Sequence, residues 1–364
     1  MSEDDDDGQE RPTAMPMSPS EGVRQSAEWV LSVSQHVTVD RNAVSKLAHF
    51  LASEFSRGGV SAVNWKDHEL RPKTSDNFAV DWIFLVNALN FSFWSGPVES
   101  QSTAAKFAVE FNGKQYTGSM SCWAAINRAV QEGIPIFDAA YLAGITEDQV
   151  RHLFRTSTSG EMPLLEDRRK NLQEAGQVLL EKFGGTFWNC CKLADGNAQQ
   201  LLHIILENFP SFRDCSVYHG RKVEFYKRAQ VVVADIWSCF ENSGYGHFSD
   251  IDSLTIFADY RIPQVLNFFG ATKYSDELQV KLKANEVFKY GDVEEVEIRA
   301  STIFVAELLV KEVNVILRGH AGQVATPSPP VNGILLDQYL WGYRQSHDSD
   351  MKHIPFHKVR SIYY

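Results

Sequence analysis

Apolar residues recur at helical spacing along most of this chain. In VRQSAEWVLSVSQHV, residues Val23, Ala27, Val30 and Leu31 fall on one side. Asp40 stands as an N-cap before a stripe of Val44, Leu47, Phe50 and Leu51. The stretch 81–94, DWIFLVNALNFSFW, predicts a buried helix through Trp82, Leu85, Val86 and Leu89, then an alternating aromatic end. Further helices are predicted over 121–132, 139–143, from the Thr146 cap to about Phe154, and over 163–183, where Gly184 and Gly185 stop the pattern. The pattern continues over 186–193, 197–209, 223–240, 260–269, 298–317 and 334–341. One β signal is clear: FAVEF and KQYTG alternate on either side of Asn112-Gly113, a type I′ turn dipeptide. Residues 216–219 read as a short extended piece, and 294–297 as an ordinary charge pattern. The expected fold class is mainly α with a small β-hairpin.

Composition changes this picture at the ends. Residues 1–21 carry an acidic run and then Pro, Ser and Met, so they read as a disordered tail. Residues 22–364 read as a single domain, with room for two helical lobes, interrupted by a linker around 322–331.

The formal charge of −11 argues against stable nucleic-acid binding, which ordinarily needs a basic face, but permits a small ligand with one phosphate. Five cysteines without a CxxC suggest neither a zinc site nor a disulfide framework. Reduced thiols suit a cytoplasmic protein, or a nuclear one. No apolar run has the length of a membrane span. No GxGxxG, P-loop, HExxH or GxSxG occurs, so dinucleotide, nucleoside-triphosphate and serine-hydrolase chemistry lose their usual support.

The candidate chemistry lies in acids set among aromatics. SLTIFADYRIPQVLN carries an apolar run inward and delivers Asp259. Asp259 suits an N-cap of the following helix, or a reactive group opening onto a pocket walled by Phe257. Asp337 and Trp341 are four apart and share a helix face. Lys227 and Arg228 offer cations for a phosphate. Asp235, in an apolar stretch, is either on an exposed face or a buried partner of one of those cations. His68, among charged neighbours, suits a surface or structural role as well as a ligand. Aromatic faces with a carboxylate suit a planar heterocycle, and a second carboxylate suits cleavage of a glycosidic bond. A helical adaptor without catalysis would contain the same residue types.

Longer stretches narrow this. WKDHELRP, DWIFLVNALNFSFWS, NRAVQEGIPI, LLEKFGGTF, FYKRAQVVVADIWS, TIFADYRIPQVL, YGDVEEVEIRA, ILLDQYLWGY and IPFHKVRSIYY resemble the queuosine salvage family of N-glycosylase/hydrolase proteins, from about residue 25 to 364. The resemblance implies a helical fold related to DNA glycosylases. It implies hydrolysis of queuosine 5′-monophosphate to release queuine, a 7-deazaguanine base, without metal or organic cofactor. It assigns Asp259 as the catalytic carboxylate, Phe257 and Trp341 as walls, and His68 and Asp337 as lining of the base pocket. Lys227 and Arg228 are then expected to neutralise the 5′-phosphate. The acid that follows the tryptophan in some relatives is Gly342 here. A 7-deazapurine has no N7 to protonate, so the catalytic burden falls on the sugar side. The alternative is a protein that binds queuine or its nucleotide without cleaving it.

Overall fold

Polar caps start the helices that the apolar stripes predict. Asp40 accepts from the amides of Asn42 at 3.0 Å and Ala43 at 3.1 Å and opens the helix Arg41–Ser56. Thr146 and Gln149 form a reciprocal capping box at the start of Glu147–Leu153. The hairpin joins Val109–Phe111 to Lys114–Tyr116 in antiparallel register. Its turn residues Asn112 (φ 49°) and Gly113 (φ 75°) are both left-handed, as a type I′ turn requires. The computed structural model describes residues 17–58, 65–94, 107–320 and 330–364. It is mainly α-helical, with small two-stranded pairings.

The spine is the 28-residue helix Val293–His320. It packs on Pro19–Val33, Arg41–Ser56, Ile262–Phe268 and Gly333–Ser346. A second group packs the helix Lys227–Cys239 on Asn77–Ala88 and Ala198–Asn208. Buried apolar residues from Val23 to Met351 form one contiguous cluster through both groups. Among the described residues no helix is long and apolar enough to cross a membrane.

Several expectations are corrected. The acids at 294–297 are not an ordinary charge pattern, because the spine helix already includes them and buries Glu295 and Glu297 completely. Burial is tolerable because donors surround each carboxylate. Glu297 accepts from Ser34 Oγ at 2.6 Å, His36 N at 2.7 Å, Tyr218 OH at 2.8 Å and the amides of Gln35 and Val37 at 3.0 Å. The helix expected over 223–240 begins only at Lys227. Before it, Arg221–Glu224 pairs antiparallel with Cys215–Tyr218, and left-handed Tyr226 (φ 51°) breaks the chain direction. Residues 19–21 belong to the first helix rather than a tail. The acidic run 3–7 and linker residues 322–329 lie outside the described residues.

Candidate active site

The segment 254–258 runs buried and extended through the middle of the fold, held at successive backbone groups. The Thr255 amide donates to Gln230 Oε1 at 2.9 Å. The Phe257 amide donates to Asp337 Oδ1 at 3.3 Å. Ala258 O accepts from Arg299 Nε at 3.0 Å. Arg299 is itself fully buried and bonded to both oxygens of Asp214, at 3.0 and 2.6 Å. Asp214 Oδ2 also accepts from the Lys227 amide at 3.2 Å. One buried ion pair therefore anchors the backbone on both sides of the site.

Asp259 emerges at the end of this segment, half-buried. Its Oδ1 accepts from the amides of Arg261 at 2.6 Å and Ile262 at 3.0 Å, capping the helix Ile262–Phe268. Its Oδ2 accepts no hydrogen bond among the described residues. The cap expected of Asp259 is therefore made by one oxygen of its carboxylate.

Asp337 arrives from the helix Gly333–Ser346. That helix can press on the 254–258 segment only because residue 333 has no side chain. A Cβ there would stand 2.9 Å from Thr255 C and 3.0 Å from Leu254 O. Asp337 is half-buried. Burial, and then the neighbouring Asp259 charge, push its carboxyl well above the usual carboxylate range, with Lys227 partly offsetting the shift. Burial pushes the Lys227 ammonium down, while Asp259 and Asp337 pull it back up. Lys227 is 8% exposed, and its ammonium makes no hydrogen bond or close ion pair among the described residues. It acts on the two acids through its charge without bonding to either.

On its helix, Lys227, Val231, Asp235 and Ser238 share a face. Val231, Asp235 and Ser238 are half-buried, whereas all the other residues from Ala229 to Cys239, Trp237 apart, are buried. Gln338 Nε2 donates to Ser238 Oγ at 3.1 Å, joining the two helices that carry these residues. Asp235 accepts from Trp65 Nε1 at 2.9 Å and Asn87 Nδ2 at 3.0 Å. It is neither an exposed-face residue nor bonded to Lys227 or Arg228, and its charge is felt at Asp337. The sequence reading left this third acid out of the site. Its only signal was its position eight residues after Lys227.

The structure brings Asp259, Phe257, Asp337 and Lys227 together. Phe257 is 7% exposed, and Trp341 is partly buried one turn beyond Asp337. A Cβ on Gly342 would meet nothing within 4 Å. His68 has no bond to either acid: Nδ1 accepts from the Leu70 amide at 3.2 Å, and Nε2 lies 3.3 Å from Met120 Sδ. Burial, and then Arg71, lower its pKa and favour the neutral ring. Arg71, whose charge acts on His68, stacks on Trp65, and Trp65 in turn donates to Asp235.

Arg228 is a correction. Its guanidinium is fully buried and donates to the carbonyls of Asn87 at 2.9 Å and Ala88 at 2.7 Å, and also to that of Ser211. A phosphate would have to displace backbone bonds to reach it. Helical phase explains the difference, since adjacent residues point about 100° apart. Among the described residues no group of three or more His, Cys, Asp and Glu is placed to hold a metal ion.

Fold and site together define a mainly helical protein in which Asp259, Asp337 and the buried Lys227 ammonium lie within one another's electrostatic reach. The family model for the queuosine salvage protein matches residues 70–364. A Bos taurus protein is 46% identical over 342 residues, covering 94% of this chain and 98% of its own. A Mus musculus protein is 45% identical over 350 residues, covering 96% and 100%. A Schizosaccharomyces pombe protein is 38% identical over 356 residues, covering 94% and 99%. All three carry the name queuosine 5′-phosphate N-glycosylase/hydrolase. This chain belongs to the queuosine salvage protein family.

Proposed function

We propose that this chain hydrolyses the N-glycosidic bond of queuosine 5′-monophosphate and releases queuine. The observation that carries the reading is the free Oδ2 of Asp259, held beside Asp337 and Lys227 in a chain similar throughout to proteins of that name. As the bond to the base lengthens, positive charge develops on the ribose ring. A carboxylate fixed by two amides needs no reorganisation to stabilise that charge or to align the attacking water. Asp337 accepts N–H bonds from the guanine-like edge of the base, between Phe257 and Trp341. Lys227 lies within the field of both acids and limits their mutual repulsion.

Incubation of the purified protein with queuosine 5′-monophosphate, followed by chromatography, tests the reading. Free queuine appearing in proportion to enzyme supports it. Tight binding without free base would instead indicate a carrier of the nucleotide.

A further inference from the structure

Removing Arg228 from the ligand leaves the substrate's phosphate without its second expected cation, and the rest of the molecule offers a different set. Arg261 lies two residues beyond Asp259, where the chain turns into the helix Ile262–Phe268. Lys358 and Arg360 come from the other end of the described chain. They alternate about Val359, which is 1% exposed and packs inward. Extended backbone places side chains two apart on one side, and Lys358–Val359 is such a strand, paired parallel with Val287–Phe288.

These cations interleave with the rings of Tyr260, Phe356 and Trp94. Arg261 lies 4.2 Å from the Phe356 centroid, and Lys358 Nζ lies 5.8 Å from the same ring. Lys358 Nζ is 5.9 Å from the Trp94 centroid, and Arg360 is 3.5 Å from it. Ring faces attract each cation and hold the side chains in place, but they neutralise no charge. The hydrogen-bond partners are all uncharged: Gln264 Oε1 at 3.2 Å for Arg261, Asn285 Oδ1 at 2.8 Å for Lys358 and Ser92 O at 3.3 Å for Arg360. None of the three forms an ion pair with a carboxylate among the described residues. The nearby Arg344, by contrast, is paired with Asp348 at 2.6 Å. Burial, and then Arg261 and Arg360, push the Lys358 ammonium down, so the cluster is internally repulsive.

In a protein of net charge −11, three clustered cations, one of them two residues from Asp259, stand without an ion-pair partner among the described residues. We propose that Arg261, Lys358 and Arg360 form the subsite for the 5′-phosphate monoester of the substrate. This rests on the hydrolase reading for the identity of the ligand. Asp337 and Phe257 then hold the base on one side of Asp259, and the Arg261 side receives the 5′ end of the ribose. Each guanidinium retains unused N–H donors for phosphate oxygens, and Lys358 adds a point charge.

The test compares Lys358→Gln and Arg360→Gln with the unaltered chain. Each should raise KM for queuosine 5′-monophosphate by about tenfold or more, the scale of a lost charge-assisted hydrogen bond. Affinity for free queuine, which lacks phosphate, should hold. Equal changes for both ligands in a cooperatively melting variant, or no change for either, overturn the proposal. A measurement on the unaltered chain guards against variants that do not fold: inorganic phosphate should compete with the nucleotide and leave queuine affinity unchanged. Absence of that competition also overturns it. Should the protein bind the nucleotide without cleaving it, the hydrolase reading falls by itself, and nucleotide affinities of the same variants still decide the subsite.

Discussion

The backbone amide of Phe257 donates to Asp337 Oδ1 at 3.3 Å, tying the buried segment before Asp259 to an acid 80 residues away in the chain. Any change in the charge or position of Asp337 is therefore felt at the segment that presents Asp259. The consequences can be measured separately.

The first concerns pH. Burial and the Asp259 charge raise the Asp337 pKa, so the folded state holds that proton more tightly than the unfolded chain. Its contribution to stability is complete below the unfolded value of about 4 and is lost as pH rises through the folded value. Asp337→Asn removes this loss. The thermal midpoint of the variant should gain on that of the unaltered chain from pH 4 to pH 8. A constant difference across that range contradicts the assignment.

Gly333 and Gly342 lie on one helix and should respond in opposite senses. A Cβ at 333 meets the backbone of Thr255, Leu254 and Ile256 at 2.9–3.1 Å, whereas one at 342 meets nothing within 4 Å. Gly333→Ala should destabilise by about 1–3 kcal/mol as the helix is pushed off the 254–258 segment. Gly342→Ala should gain up to about 1 kcal/mol of helix propensity. Denaturant unfolding of the two variants gives both numbers.

Neighbours Lys227 and Arg228 should separate just as clearly. Arg228→Met removes one donor from each of the buried carbonyls of Asn87, Ala88 and Ser211. It should cost about 3 kcal/mol or more of stability, with KM for the nucleotide unchanged in the folded fraction. Lys227→Met removes an ammonium that no bond in the fold requires. It should stay folded and lower kcat by about tenfold or more through the lost field at the two acids. Unfolding midpoints and steady-state rates on both variants distinguish the roles.

Much of this arrangement was legible in the chain, for identifiable reasons. Helices with one apolar stripe and a polar cap, such as that after Asp40, announce themselves by period and cap together. Asn112-Gly113 announces the hairpin because few other residues tolerate two successive left-handed conformations. Asp259 stood out as an acid reached through an apolar run. The pairing of Val37–Val39 with Thr272–Tyr274 was not legible, because strands of three residues carry too little alternation. Glu295 and Glu297 read as an ordinary charge pattern because the donors that make their burial tolerable, Tyr364 for Glu295 and Tyr218 with the amides at 35–37 for Glu297, come from distant segments. Arg228 was misplaced for a related reason: composition shows a cation, but only the fold shows which carbonyls hold it. Asp235 gave no sign of its two donors for the same cause.

Asp259→Asn gives the most direct test. Asn keeps a carbonyl oxygen that can accept from the amides of Arg261 and Ile262, so the helix cap survives and only the charge at the cleft is lost. Release of queuine from queuosine 5′-monophosphate should fall to background while queuine still binds with near-unaltered affinity. Turnover close to that of the unaltered chain would contradict the central role given to this carboxylate.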